Sequence, residues 1–167
     1  MKPLEHPDSL HLQAAEGWLE LGDAAEADKE LDEITRQRRA HPDVLQMRWR
    51  VLAAAKEWEA CVEIATAITK VAPKRAFGWL QRSFALHELK CTQQARDNLL
   101  AVLERFPKNA TIPYNIACYE CQLGRLQEAK DWLVKEFAIG DEINIKVMAL
   151  GDADLMPIWK DIGNLNP

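Results

Sequence analysis

Between Ala76 and Pro107 the apolar residues of AFGWLQRSFALHELKCTQQARDNLLAVLERFP fall at helical spacing in two blocks, the pattern of two antiparallel helices joined by a short turn. The landmarks of this hairpin recur at a fixed interval. Ala27, Cys61, Ala95 and Ala129 stand 34 residues apart and are all small, and Leu31, Ala65, Leu99 and Leu133 each follow by four. Gly22, Lys56, Lys90 and Gly124 precede the small residues by five, where the turn belongs; Pro73 and Pro107, again 34 apart, mark helix ends. A small residue at that position lets the two helices of a hairpin approach closely, which a larger side chain would prevent. The pattern predicts an all-α chain of four stacked helix pairs.

The predicted units are 8–41, 42–75, 76–109 and 110–141, with an N-terminal segment 1–7 before them and a C-terminal cap, 142–167, after them. In the first unit Asp8 or Ser9 is the expected N-cap of a helix to Leu21, with Gly22 as its stop. Asp23 then caps a second helix through the 36–40 region, so that Arg36, Arg38 and Arg39 complement the dipole of its last turns. His41-Pro42-Asp43 opens the second unit, with helices to about Ala55 and from about Glu57 to Val71. The third has helices from about Arg75 to Leu89 and from Thr92, as cap, to near Phe106. Asn109 is the expected cap of the next helix, to about Leu123; its partner reaches Phe137 and stops at Gly140. EINIKVMAL and a short helix around Asp154 to Ile162 have no counterpart at this period. They are expected to close the last apolar face with a polar outer side, burying Leu150, Leu155, Ile158, Trp159 and Ile162.

Composition supports a buried core: 167 residues, 48% apolar, with only 7 Gly and 8 Pro. The net charge of −5 is uneven. Residues 1–35 hold ten acids and two bases, 36–106 thirteen bases and seven acids, and the remainder nine acids and six bases. The central basic surplus is spread over six helical segments instead of one face, so no nucleic-acid partner is expected. MKPLEHPDSLHLQ lacks an apolar signal core, and no segment reaches the roughly 18–20 apolar residues of a membrane span. A cytoplasmic protein with no membrane partner is the expectation, and its four cysteines read as reduced thiols.

A 34-residue helix-turn-helix repeat with these landmarks resembles the tetratricopeptide repeat (TPR) family. IPYNIACYECQLGRLQEAKDWLVKEF is similar to a typical repeat, with Leu123-Gly124 at the turn followed by Glu128-Ala129. The third unit has Trp79, Ala95 and Pro107 at landmark positions, and the first keeps Leu21 to Asp23 and Glu26-Ala27. Arg48 and Arg82 depart from the family's usual Leu, and Arg39 from its terminating Pro. The resemblance covers about residues 8–141. It implies a right-handed α-solenoid whose first helices line a concave groove for an extended peptide or a helix of a partner protein. It also implies a non-enzymatic role as an adaptor, chaperone or assembly factor.

On the first helix of the third unit, at about 100° per residue, Trp79, Ser83 and Leu86 form a packing stripe. Phe77, Leu80, Phe84 and His87 form a second, on the concave side by repeat register. The same register selects Gln46 and Arg50 in the second unit, and Tyr114, Cys118 and Cys121 in the fourth. Asn115 matches a carboxylate-gripping position of some TPR domains, without the accompanying cations. These ten residues are the candidate peptide-binding site. An amphipathic peptide or helix is the expected ligand, since the register runs from acidic through apolar to polar-aromatic. A different reading is that the apolar stripe is core, covered by the chain's own cap or by a curled neighbour helix.

Two alternatives accompany this reading. One is a TPR chaperone for a secreted or assembling protein. The other is a metal or thiol enzyme centred on Cys118, Cys121 and His87. Structural zinc takes four ligands and prefers CxxC on a turn, and a mid-helix thiol gains little from the helix dipole. No catalytic residue, cofactor or metal is therefore expected.

Overall fold

The computed structural model describes residues 2–165, and among these there are α- and 3₁₀-helices and no strands. The α-helices are α1 (Asp8–Glu20), α2 (Ala24–Glu33), α3 (Pro42–Ala54), α4 (Trp58–Val71), α5 (Phe77–Glu88), α6 (Thr92–Leu100), α7 (Thr111–Gln122), α8 (Leu126–Phe137), α9 (Glu142–Gly151) and α10 (Trp159–Ile162). Short 3₁₀ segments occupy Arg36–Arg38, Leu103–Arg105 and Ala153–Ile158. The chain divides within α5 into two compact units, Met1–Ala85 and Leu86–Pro167.

The small residues at the 34-residue interval behave as their size requires. Ala27, Cys61, Ala95 and Ala129 are 0% exposed, as are Leu31, Ala65, Leu99 and Leu133. Full burial of each of the three leucines stabilises by about 1.5–3 kcal/mol. The four turn residues share one backbone conformation: φ is 83° at Gly22, 58° at Lys56, 64° at Lys90 and 78° at Gly124. A side chain in this left-handed region costs roughly 1–2 kcal/mol, which glycine avoids at some entropic loss. Lys56→Gly and Lys90→Gly are each expected to stabilise by about 0.5–1 kcal/mol, read as a higher urea midpoint at unchanged slope. An unchanged or lower midpoint contradicts this.

In the first unit, α1, α2, α3 and α4 pack a core of Ala15, Ala27, Leu31, Ile34, Val44, Met47 and Val51, with a second cluster of Trp49, Cys61, Ala65 and Ala85. Asp23 caps α2 by accepting from the Glu26 amide at 3.0 Å. Asp8 does not cap α1 as expected; it lies inside the helix, buried, and accepts from the Thr35 amide at 2.9 Å and hydroxyl at 2.8 Å. The backbone hydrogen bond foremost holds the Asp8 carboxyl below its ordinary range. The helix predicted through 36–40 stops at Glu33, because Ile34 turns extended. Arg39 donates to the carbonyls of Ile34 and Asp32, satisfying the helix end where later units of this chain carry Pro73 and Pro107. Arg48, in place of Leu, joins α3 to α2 through Asp28 at 2.7 Å and Asp32 at 2.9 Å. Gly78 is where α5 meets α4: a Cβ there would fall 2.8 Å from Ile68 Cγ2.

In the second unit, Leu99, Ile112, Ile116, Leu133, Leu155, Ile158 and Ile162 are buried. Glu120 of α7, 0% exposed, accepts from Arg96 Nε of α6 at 2.5 Å and from Arg125 at 3.1 Å, so one carboxylate ties α6, α7 and the α7–α8 turn. α6 ends at Leu100, short of the predicted Phe106. Phe106 precedes Pro107 and is kept out of the α region, and the turn before it tightens into 3₁₀ bonds. Thr92 does not cap α6 with its side chain, and Asn109 does not cap α7; the N-cap positions are Cys91 and Ala110. The C-cap of α8 is Ala138, not Gly140, whose lack of a side chain admits Ile145. Asp141 caps α9 through the Ile143 and Asn144 amides. The cap departs from its expected polarity: α9 buries Ile145 and Ala149, so Ile143 (75%), Val147 (67%) and Leu150 (46%) face solvent. Trp159 is half-buried, its indole N–H shared between the carbonyls of Ala149 and Asp152.

Candidate protein-interaction faces

In the first unit, Leu12 and Glu16 of α1 with Asp43, Gln46, Met47 and Arg50 of α3 line a depression of about 180 Å³. Leu12 and Gln46 are one repeat apart, as are Glu16 and Arg50, so the depression collects two register positions from successive first helices. Arg50 pairs with Glu16 at 2.7 Å and Asp43 with Arg75, placing both charge signs on this surface. Pairs this exposed contribute little to folding and are free to exchange partners.

The α5 stripe in the same unit is partly supported and partly open. Phe77 is half-buried against Trp49, edge to face at 6.0 Å; Leu80 is half-buried. Phe84 meets the Trp49 ring at 6.3 Å and the Trp58 ring at 5.7 Å, yet stays 40% exposed. Such ring contacts are worth about 0.5–1.5 kcal/mol each beyond area and hold the phenyl in place. Trp49 and Trp58, which the repeat register does not single out, position Phe84.

In the second unit the register residues are covered. Tyr114, Cys118, Cys121 and His87 are buried, and Asn115 is half-buried. The Tyr114 hydroxyl donates to Asp152 Oδ2 at 2.9 Å, and the Cys118 thiol lies 3.6 Å from the same oxygen. His87 Nε2 is 3.2 Å from Asp154 Oδ2 and Nδ1 is 3.0 Å from the Thr92 hydroxyl. Gln122 donates to the Asp154 carbonyl at 2.9 Å. Neither aspartate was singled out from the sequence, because the 34-residue interval ends before the cap.

The thiols and phenols of this cluster are held in their protonated forms. Burial foremost, then the Asp152 and Asp154 charges, push the Cys118 thiol well above its ordinary range; burial and the same aspartates raise Cys121. Burial pushes Cys61 up to about 11 and also raises Tyr114 and Tyr119. Thiols so placed are not thiolate nucleophiles at neutral pH. Among the described residues no group of three or more His, Cys, Asp or Glu side chains is arranged to hold a metal ion.

Glu136, at the end of α8, is buried with Oε2 lacking a hydrogen-bond partner, and desolvation pushes its carboxyl up to about 8. Below pH 4.5 folded and unfolded chains both hold this proton. As pH rises towards 8 the unfolded chain ionises first, so stability falls across that window. Glu136→Gln is expected to gain over the native chain by about 1–3 kcal/mol at pH 8 and little at pH 4.5, read by urea melts at both. A pH-independent difference contradicts this.

No protein-family profile and no curated protein matches the sequence. Solved structures do. MamA from Desulfovibrio magneticus RS-1, beginning at its residue 41, superposes with a TM-score of 0.72 at 18% identity, over 98% of this chain and 97% of that one. MamA MSR-1 gives 0.65 at 15% identity over 96% and 97%, and MamA AMB-1 gives 0.63 at 14% over 95% and 98%. At these identities the likeness is one of fold: an all-α helical-repeat solenoid, which fits a TPR-type fold. No helix among the described residues is long and apolar enough to cross a membrane.

Proposed function

We propose that this chain is a non-enzymatic protein-interaction module of four TPR units, 8–41, 42–75, 76–109 and 110–141, with 142–167 as cap. It binds an amphipathic peptide or helix of a partner protein through the first-helix residues of its repeats. One observation carries the reading: Phe84 is pre-positioned by two tryptophans and left 40% exposed, on the register that holds Gln46 and Arg50 in the open depression. Aromatic side chains fixed in this way are the usual anchors of protein interfaces. In the depression, Arg50 and Glu16 offer charges that set the orientation of an incoming segment. Free thiols at Cys61, Cys91, Cys118 and Cys121 suit a cytoplasmic setting.

The face is tested by site-specific photo-crosslinking in native lysate. A photoreactive amino acid in place of Gln46 is expected to give a discrete protein adduct, and one in place of Glu63, exposed on α4, none. Equal yields from both positions would remove the proposed face.

A further inference from the structure

The segment that follows α9 lies on α7 as a ligand lies on a receptor. Asp152 Oδ2 takes the Tyr114 hydroxyl and the Cys118 thiol, and Asp154 takes His87 through its carboxylate and Gln122 through its carbonyl. The Asp154 amide donates to Asp152 Oδ1 at 2.9 Å, which fixes the turn that presents both carboxylates. Leu155 and Ile158 then bury their side chains. Tyr114 and Cys118 stand one 34-residue interval or two from Leu80, Phe84, Gln46 and Arg50. The register positions that line an open depression in the first unit are therefore occupied, in the second, by the chain itself. The helix before this segment is packed on one side: α9 buries Ile145 and Ala149, while Ile143, Val147, Met148 and Leu150 remain exposed.

We infer that Asp152–Ile158 is a self-ligand of the α7 face, and that the partner this face fits carries the same chemistry: two carboxylates two residues apart, followed by aliphatic side chains. The inference rests on the reading of the repeat register as a binding face. Tethering places the resident segment at an effective concentration in the millimolar range, so a partner must displace it, and binding at α7 is regulated by release of the cap. Three of the four polar contacts end on the two carboxylates, so charge removal at those two positions is the direct way to weaken the tether.

The test uses the full chain and a fluorescent peptide of residues 151–162, GDADLMPIWKDI. The double variant Asp152→Asn/Asp154→Asn is expected to bind this peptide at least about tenfold more tightly than the native chain does, because its resident segment competes less well. A peptide with both aspartates changed to Asn is expected to bind the variant at least about tenfold more weakly. Equal affinities of the two chains, or of the two peptides, overturn the inference. Should the variant fail to fold, hydrogen exchange on the native chain decides: excess peptide should speed exchange across 142–162 and leave 111–122 protected, and no change in 142–162 overturns the inference. Substitution at Phe84 tests the underlying reading separately, so loss of the self-ligand with that result intact removes the regulation and not the binding face.

Discussion

Glu120→Ala is expected to lower the stability of the folded chain by about 3 kcal/mol, towards the lower end of the range for breaking a buried pair. The carboxylate is 0% exposed and neutralises Arg96 at 2.5 Å and Arg125 at 3.1 Å. Its removal takes away the anion shared by two guanidinium groups and opens a gap in the middle of α7. The loss stays below the upper end of that range because the Arg125 side chain, 40% exposed, can turn to water, and Arg96 retains Asp97. In a chain of this length the change amounts to a fall in melting temperature of about 6–12 °C. Replacing Glu120 and Arg96 together by Leu and Met should recover most of it, since an apolar pair avoids desolvating charge. A loss under about 1 kcal/mol for Glu120→Ala would show that the network is not structural.

How much of this was legible in the sequence follows from what kind of interaction each feature depends on. The hairpins repeat because helix packing selects residue size at fixed spacing, and size is written locally: Ala27, Cys61, Ala95 and Ala129 are buried in every copy. The left-handed turn was legible from Gly22 and Gly124 and held even where Lys stands instead. Helix ends were less legible. Asp8 had the residue type of a cap, but a partner at Thr35, far along the chain, claimed its carboxylate. The end of α2 depends on Arg39 reaching back to two carbonyls, which no local rule supplies.

The candidate site divides in the same way. Phe77, Leu80, Phe84 and His87 were placed on one stripe by helical period alone; Phe84 is exposed, Phe77 and Leu80 are half-buried and His87 is buried. What happens to Tyr114, Cys118 and Cys121 is decided by Asp152 and Asp154, beyond the last repeat, where the interval no longer guides the eye. The outer face of α9 went against expectation for a related reason: in EINIKVMAL apolar residues stand on every side, so the pattern does not say which side turns inward.

Phe84 decides whether this chain binds a protein partner through the register face of its first helices. The direct measurement is affinity capture from native lysate with the native chain, Phe84→Glu and Cys118→Ser, each first shown to be folded by circular dichroism. Phe84→Glu places a charge where the partner is expected to bury an apolar residue, and because the phenyl is 40% exposed the chain should keep its fold. A fall in partner affinity of at least about 100-fold, or roughly 2.7 kcal/mol, is expected for Phe84→Glu. Cys118→Ser, which keeps a hydroxyl donor for Asp152, should capture as the native chain does. Full capture by Phe84→Glu, with loss in Cys118→Ser, would contradict binding through this face.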